Sequence, residues 1–385
     1  MMKKRILTMF WYDDASEVHL YKDVGGIPYA LAKYCDWQAT FAYNDINGII
    51  HNDDYEKYVK LDTIHYPKIL CKLKMRYYKY FQVIKYVWKN APKYDVINFY
   101  HCHKFIRFLC WLAKKANPNI ITYVKLDMGR EGFYKEQKNI RGGKWESVSI
   151  FTVEASKYVE DLNKLCKFNG KVQYLPNGFF SDMSNVDKDI DKEKIILTVG
   201  RLGTYQKNTE LLVDTFFELD KSLICDWRLF LVGPVTPAFK KWLQNRILDS
   251  KFHQERIVLT GNIVDKSLLY KIYSKSPIFV LPSRFESWGL VILEAMYFEN
   301  YPILTNCCDA YYDFLYDNSG SYGNIIKNDN KKELKQAIIS AIENYDNKMN
   351  IAKQGSKFIN ENFNWNVVAK QLEQYFMDIN NEVVK

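Results

Sequence analysis

Short β-branched and aromatic runs alternate with helically spaced apolar residues along the whole of this 385-residue chain. In the first half the strand-like runs fall at 4–12, 39–43, 95–100, 120–126, 147–153 and 172–175. The second half repeats the habit at 195–199, 228–232, 256–259, 278–281, 302–304 and 324–326. Apolar runs of this length, separated by segments of helical period, fit strands buried on both faces with helices carrying the chain back, a doubly wound parallel sheet. Residues 181–192, between the two series, are polar and unpatterned, which predicts a linker. The expectation is an α/β chain of two Rossmann-like domains, 1–180 and 193–365, facing a central cleft, with ligands at the carboxyl ends of the strands. A length of 385 residues at 48% apolar content suits two cores better than one.

The clearest chemistry follows the run at 278–281. Phe285-Glu286-Ser287-Trp288-Gly289-Leu290 leads into apolar residues spaced as on a helix, Leu290, Leu293, Met296 and Tyr297, so the stretch reads as strand, loop, helix. Glu286 stands on the loop and Glu294 about two helical turns further on. Gly289 lets backbone approach a ligand, and the free N–H groups of a first helical turn, added to the helix dipole, favour an anion. A phosphate at that helix start, flanked by carboxylates that accept from sugar hydroxyls, is the chemistry of a nucleotide-sugar site. The bland reading is a pair of solvated acids at a helix start and on a helix surface. Earlier, Val199-Gly200-Arg201-Leu202-Gly203-Thr204-Tyr205-Gln206-Lys207-Asn208 joins a strand to a helix starting near Thr209. Arg201 offers a fork of donors and Lys207 a point charge where a pyrophosphate would sit.

The first half holds weaker signals. Gly25-Gly26 opens a helical pattern after the first strand and permits close approach to a phosphate or sugar. His101-Cys102-His103 would put two imidazoles on one face of an extended chain; nothing supplies a third ligand for zinc, so contact with a sugar hydroxyl or phosphate is the better expectation. Lys125-Leu126-Asp127 closes a buried strand, where Lys125 or Asp127 would face a reacting sugar. Asp187-Lys188-Asp189 and Asp189-Ile190-Asp191 lie in the polar connector and read as solvated charge, not as a metal motif. Residues 63–94 contain no Asp or Glu, and Ile69, Leu73, Tyr77, Tyr80, Ile84 and Val87 form one helical apolar face among Lys68, Lys72, Lys74, Arg76, Lys79, Lys85, Lys89 and Lys93. Such a helix suits either an anionic membrane surface, through 68–89, or a domain helix with a solvated lysine face.

The net charge of +9, from 54 Lys and Arg against 45 Asp and Glu, favours anionic partners without choosing among them. Eight cysteines without a C-x-x-C pair read as reduced, buried thiols of a cytoplasmic protein. The basic and apolar start turns acidic at Asp13-Asp14 and reads as a first strand, not a targeting segment. No apolar run approaches the roughly 20 residues of a spanning helix, so the inner face of a membrane is the furthest expected excursion from the cytoplasm. No G-x-G-x-x-G follows a strand, which argues against nicotinamide chemistry, and no nucleic-acid motif is present.

Taken in order, Gly25-Gly26, Leu175-Pro176-Asn177-Gly178, Val199-Gly200-Arg201 with Lys207-Asn208, Gly261-Asn262-Ile263, Glu286 with Glu294, and Phe363-Asn364-Trp365 resemble the retaining glycosyltransferases of family 4. That family has the two-domain GT-B architecture and a Glu-x7-Glu motif. The resemblance implies a donor diphosphate held by Arg201 and Lys207, a ribose held by Glu294, and a donor sugar met by Glu286. It places phosphate on the backbone N–H groups around Ser287, Trp288, Gly289 and Leu290, the base on the main chain of Ile263, and Gly25 and Gly26 against the diphosphate from the other domain. Asp127 would face the anomeric centre, with His101, His103 and Lys125 near acceptor or sugar, and a final helix over 366–385 would pack back on the first domain. No metal or other cofactor is implied. The partners would be a nucleotide-sugar donor and a glycan or glycolipid acceptor, most readily in surface polysaccharide synthesis; a non-catalytic GT-B protein binding a glycan or partner enzyme is the alternative. Two departures stand out: Lys125-Leu126-Asp127 where many members end the strand in His, and Cys307-Cys308-Asp309-Ala310 where a glycine-rich turn is usual.

Overall fold

The computed structural model describes residues 3–12, 15–46, 48–66, 76–127, 129, 130, 132, 133, 145–165, 171–181, 186 and 190–384. Contacts divide the chain into two compact units, Met1–Gly178 with Trp365–Lys385, and Phe179–Asn364.

The first unit is built on a seven-stranded sheet in the order β3-β2-β1-β4-β5-β6-β7. Its strands are β1 (Arg5–Phe10), β2 (Gln38–Asn44), β3 (Val59–Ile64), β4 (Val96–Tyr100), β5 (Ile121–Leu126), β6 (Ile150–Val153) and β7 (Val172–Tyr174). All neighbours pair in parallel, with Ile6 opposite Ala39 on one side and Val96 on the other. The chain first moves one way from β1, through α1 (Asp23–Cys35), to β2 and β3. It then returns through α2 (Arg76–Asn90) to β4 and through α3 (Lys104–Ala116) to β5. Right-handed crossovers put α1 on one face of the sheet and α2 and α3 on the other. The direction reverses between β1 and β4, where loops diverge and leave a crevice.

The expected strands appear near their predicted places, but β3 has no counterpart among them. It is an edge strand whose Lys60 and Asp62 interrupt the apolar pattern, as suits an edge that must discourage further pairing. Of the basic segment expected at 68–89, residues 68–75 lie outside the described residues. Asp187 and Asp189 of the connector do as well; Asp191 is exposed, in keeping with solvated charge.

The last helix, Trp365–Val384, belongs to this first unit. A Cβ at Gly26 would stand 2.6 Å from the Trp365 ring, and so would one at Gly178. Further along, Phe376 packs against Trp37 and Tyr123, and Gln371 donates to the Tyr174 carbonyl at 3.1 Å.

The second unit carries a six-stranded parallel sheet in the order β10-β9-β8-β11-β12-β15. Its strands are β8 (Ile195–Val199), β9 (Arg228–Val232), β10 (Ile257–Gly261), β11 (Ile278–Leu281), β12 (Tyr301–Thr305) and β15 (Asn324–Ile326); a separate small hairpin pairs β13 (Tyr316–Asp317) with β14 (Gly320–Ser321). Ile196, Leu229, Leu231, Ile278, Val280 and Ile303 form the middle of its core with Leu212, Val213 and Phe216 of α4 (Thr209–Phe217). Here the sheet reverses direction between β8 and β11.

Among the described cysteines, Cys102, Cys110, Cys307 and Cys308 are buried and Cys35 is half-buried, and none of these forms a disulfide. Cys225 is exposed, against the expectation of uniformly buried thiols, because it lies in the turn before β9. Cys71 and Cys166 fall outside the described residues. No described helix is long and apolar enough to cross a membrane.

Candidate active site

The reversal between β8 and β11 brings together two loops that are far apart in the sequence. After β8 the chain turns through Gly200, Arg201 and Gly203 to α4, and after β11 through Ser283, Glu286 and Gly289 to α5 (Leu290–Tyr297). The Lys207 ammonium and the Glu286 carboxylate form an ion pair, their side chains only 12% and 8% exposed. Glu286 also accepts from Ser283 Oγ at 2.8 Å and from Gln206 Nε2 at 3.3 Å. Gln206 binds the two loops: its amide nitrogen donates to the Phe285 carbonyl at 3.0 Å and its amide oxygen accepts from Arg201. Gly200 packs closely on this pair, since a Cβ there would stand 3.2 Å from Cε of Lys207, a tight contact that would shift the lysine stem by a few tenths of an ångström.

Behind the site, Thr305 Oγ1 donates to the Ser283 carbonyl and Cys308 Sγ to the Ser287 carbonyl at 3.0 Å. The Cys307-Cys308 turn that departs from the family pattern thus supports the Glu286 loop. Burial pushes the Cys307 thiol up from its ordinary range, which keeps it protonated beside Glu286.

The start of α5 presents backbone N–H groups that have no partner one turn earlier in the helix. Gly289 caps this start with φ of 85°, a left-handed conformation that glycine adopts at little cost. Trp288 is buried against Phe314 and Phe363, with ring centroids 5.5 and 6.2 Å away, so only its main chain is available to a ligand. Glu294, on α5, pairs with Lys266 Nζ at 2.9 Å and accepts from Tyr273 OH at 3.3 Å. Both partners lie on the helix Lys266–Lys275, which begins just after the Gly261-Asn262-Ile263 turn, so Glu294 and half-buried Ile263 flank the same helix start. Burial, followed by the neighbouring Glu294 charge, holds the Tyr273 phenol well above its usual range.

In the first unit a different constellation forms at the carboxyl ends of the strands. Carboxylate oxygens of Asp23, Asp127 and Glu154 lie within 4.8 Å of one another. Lys125 is fully buried and donates to the Leu175 carbonyl at 3.3 Å. Asn177 Nδ2 donates to Glu154 at 2.7 Å. Burial, then the Asp127 charge, pushes Asp23 up to about 7 against the opposing pull of Lys125. The same two causes hold Glu154 well above the carboxylate range.

Asp127 and Lys125 were expected at this strand end; the acids at Asp23 and Glu154 were not anticipated as their neighbours. Gly25 and Gly26 occupy the first turn of α1, where a Cβ at Gly25 would stand 2.4 Å from the Leu20 backbone. Packing against Leu20 and Trp365 alone therefore requires both glycines. His101 and His103 do not share an extended face: His101 has φ of 63°, and this left-handed residue turns the chain before His103 starts α3. Their rings go to different neighbours, Tyr12 and Trp11, with centroids 5.2 and 6.4 Å away.

Residues 181–358 match the family model of the glycosyl transferases group 1. An uncharacterized glycosyltransferase of Methanocaldococcus jannaschii is 27% identical over 229 residues, 54% of this chain and 56% of that protein. A second relative, an uncharacterized 41.2 kDa protein in the cps region of Klebsiella pneumoniae, is 25% identical over 65% of this chain and 61% of its own length. The alignments thus span little more than half of these relatives. HepE of Anabaena, solved in complex with UDP, superposes with a TM-score of 0.71 at 14% identity, covering 97% of this chain and 100% of that one. At that identity the likeness establishes the fold alone, GT-B, with two Rossmann-like units.

Proposed function

We propose that this chain is a retaining glycosyltransferase that moves a sugar from a nucleoside diphosphate sugar to a glycan or lipid-linked glycan, in the synthesis of a surface polysaccharide. The observation that carries the reading is the meeting of Arg201, Lys207 and Glu286 at the switch point of the second sheet, beside the helix start that follows Gly289. Cleaving the bond from the anomeric carbon to the phosphate oxygen leaves positive charge on the sugar and negative charge on the departing diphosphate. Cations already in place and free N–H groups at a helix start stabilise the second charge most in the transition state.

In the resting site Lys207 is paired with Glu286. An arriving diphosphate competes for Lys207 and leaves Glu286 a free acceptor for hydroxyls of the donor sugar. Glu294 accepts from the ribose hydroxyls in place of Lys266 or Tyr273, and the Ile263 main chain meets the base. Two protein cations suffice for the diphosphate, so no divalent ion is needed there. In the first unit, Asp127 is the group proposed to face the anomeric carbon, with Asp23 and Glu154 setting its electrostatic surroundings; His101, His103, Gly25 and Gly26 are assigned to acceptor or donor contact.

The test is a transfer assay with the donor found to bind, followed by NMR of the new linkage. Retention gives the anomeric configuration of the donor, and an inverted product would remove the retaining assignment. Binding of donor without any transfer to glycan or lipid-linked acceptors would favour a binding protein instead.

A further inference from the structure

Helices α2 and α3 lie on the same face of the first sheet, reached by successive crossovers in one direction, and they touch: Tyr80 meets Phe105 edge-on at 4.6 Å. Their inner faces are ordinary core. Val83 and Val87 of α2 and Ile106, Leu109, Cys110 and Ala113 of α3 are buried. The apolar face that periodicity marks on α2 is therefore turned inward, with Val87 buried and Tyr80 and Ile84 half-buried.

The outer faces depart from an ordinary solvated helix. Along α2 the exposed side chains are Phe81, Lys85, Trp88 and Lys89; along α3 they are Lys104, Phe108, Trp111 and Lys115. Each stripe thus carries one Phe, one Trp and two Lys at helical spacing. Phe81 and Trp88 are 58% and 54% exposed, Phe108 and Trp111 39% and 46%. The rings of Phe108 and Trp111 stack at 5.7 Å, and Lys115 lies 6.0 Å over the Trp111 ring. Four Lys or Arg on α2 and four on α3 make eight cations, with no acid on either helix.

Exposed aromatic rings grouped in this way signify a partner, since water offers them nothing. A bilayer interface accommodates this combination: amphipathic rings sit at headgroup level while lysine stems lie along the apolar boundary and carry their charge to anionic headgroups. We propose that the outward face of α2 and α3 docks on a lipid bilayer rich in anionic headgroups, as a peripheral contact. The two helices carry the inference by themselves, and it does not depend on the donor reading.

The test is co-sedimentation of the full chain with phosphatidylcholine vesicles, with and without phosphatidylglycerol. The unaltered protein should pellet with the anionic vesicles and be released by salt. Lys85→Glu, Lys89→Glu, Lys104→Glu and Lys115→Glu together should lower partitioning by at least ~100-fold, at about fivefold per lysine near an anionic surface. Trp88→Ser with Trp111→Ser should weaken binding at the same lipid composition. Thermal unfolding and nucleotide-sugar binding, measured on the same samples, identify a variant that has merely misfolded.

Failure of the unaltered protein to bind anionic vesicles overturns the proposal, as does unchanged binding by both variants. Release by charge reversal alone, with the tryptophan variant binding fully, also overturns it, because that pattern belongs to a soluble polyanion. None of these outcomes bears on donor binding in the second unit.

Discussion

Lys207 and Glu286 hold each other in a site where neither is more than 12% exposed, so removing either leaves a charge buried without its partner. Lys207→Ala should destabilise the second unit by about 3–5 kcal/mol in urea unfolding, whereas Lys207→Met with Glu286→Gln should recover much of that loss. A double variant as unstable as the single one would mean that the pair does not carry the effect. Glu294→Ala should weaken nucleotide-sugar binding by roughly 10–100-fold, the worth of hydrogen bonds to a charged group; unchanged affinity in calorimetry would remove the ribose assignment. Asp23 supplies a pH signature. Its folded value of about 7, against 3.8 for an unperturbed aspartate, means the folded state keeps a proton that the unfolded state has released. Stability from this group is therefore present in full below about pH 4 and is lost as pH rises to about 7. Asp23→Asn should match the unaltered protein near pH 4 and exceed it at pH 8 in denaturant midpoint; equal midpoints at both would contradict the buried-proton account. Arg201, Lys207 and Glu286 could be singled out in the sequence because each stands on a strand-to-helix loop, and Glu294 because it follows Glu286 on the helix that this loop opens. Glu154 could not, since its partners Asp127 and Asn177 arrive from other strand ends and no local pattern announces them.

At the scale of elements, glycine positions in α1 are fixed by packing. Gly26→Ala would force the Trp365 ring aside and should cost ~1–3 kcal/mol in thermal or denaturant unfolding. Pairing it with Trp365→Leu should restore part of the loss, and a neutral Gly26→Ala would show that the ring yields easily. The parallel strands were readable because burial on both faces makes them continuous apolar runs. Strand β3 was not readable, because an edge strand with Lys60 and Asp62 resembles a polar loop. On α2 periodicity identified the helix and its inner face, yet Phe81 and Trp88 on the outside escaped notice. A period marks which residues share a face, but not whether a second helix such as α3 extends that face into a surface.

The molecule as a whole has two parallel-sheet units, the second with the switch point to which nucleotide-sugar chemistry is assigned by proposal and the first with an acidic cluster at its strand ends. With Arg201 and Lys207 proposed to supply the positive charge for the diphosphate, transfer should survive EDTA, and complete loss restored by manganese would contradict that proposal. The most direct measurement is thermal unfolding of the full chain against UDP-, GDP-, ADP- and TDP-sugars. A ligand present at ~100 times its dissociation constant adds about 2.7 kcal/mol to the folded state. A clear rise in midpoint is expected with one donor, and loss of that rise in Glu294→Ala; no rise with any nucleotide sugar would contradict a donor site at the Lys207–Glu286 pair.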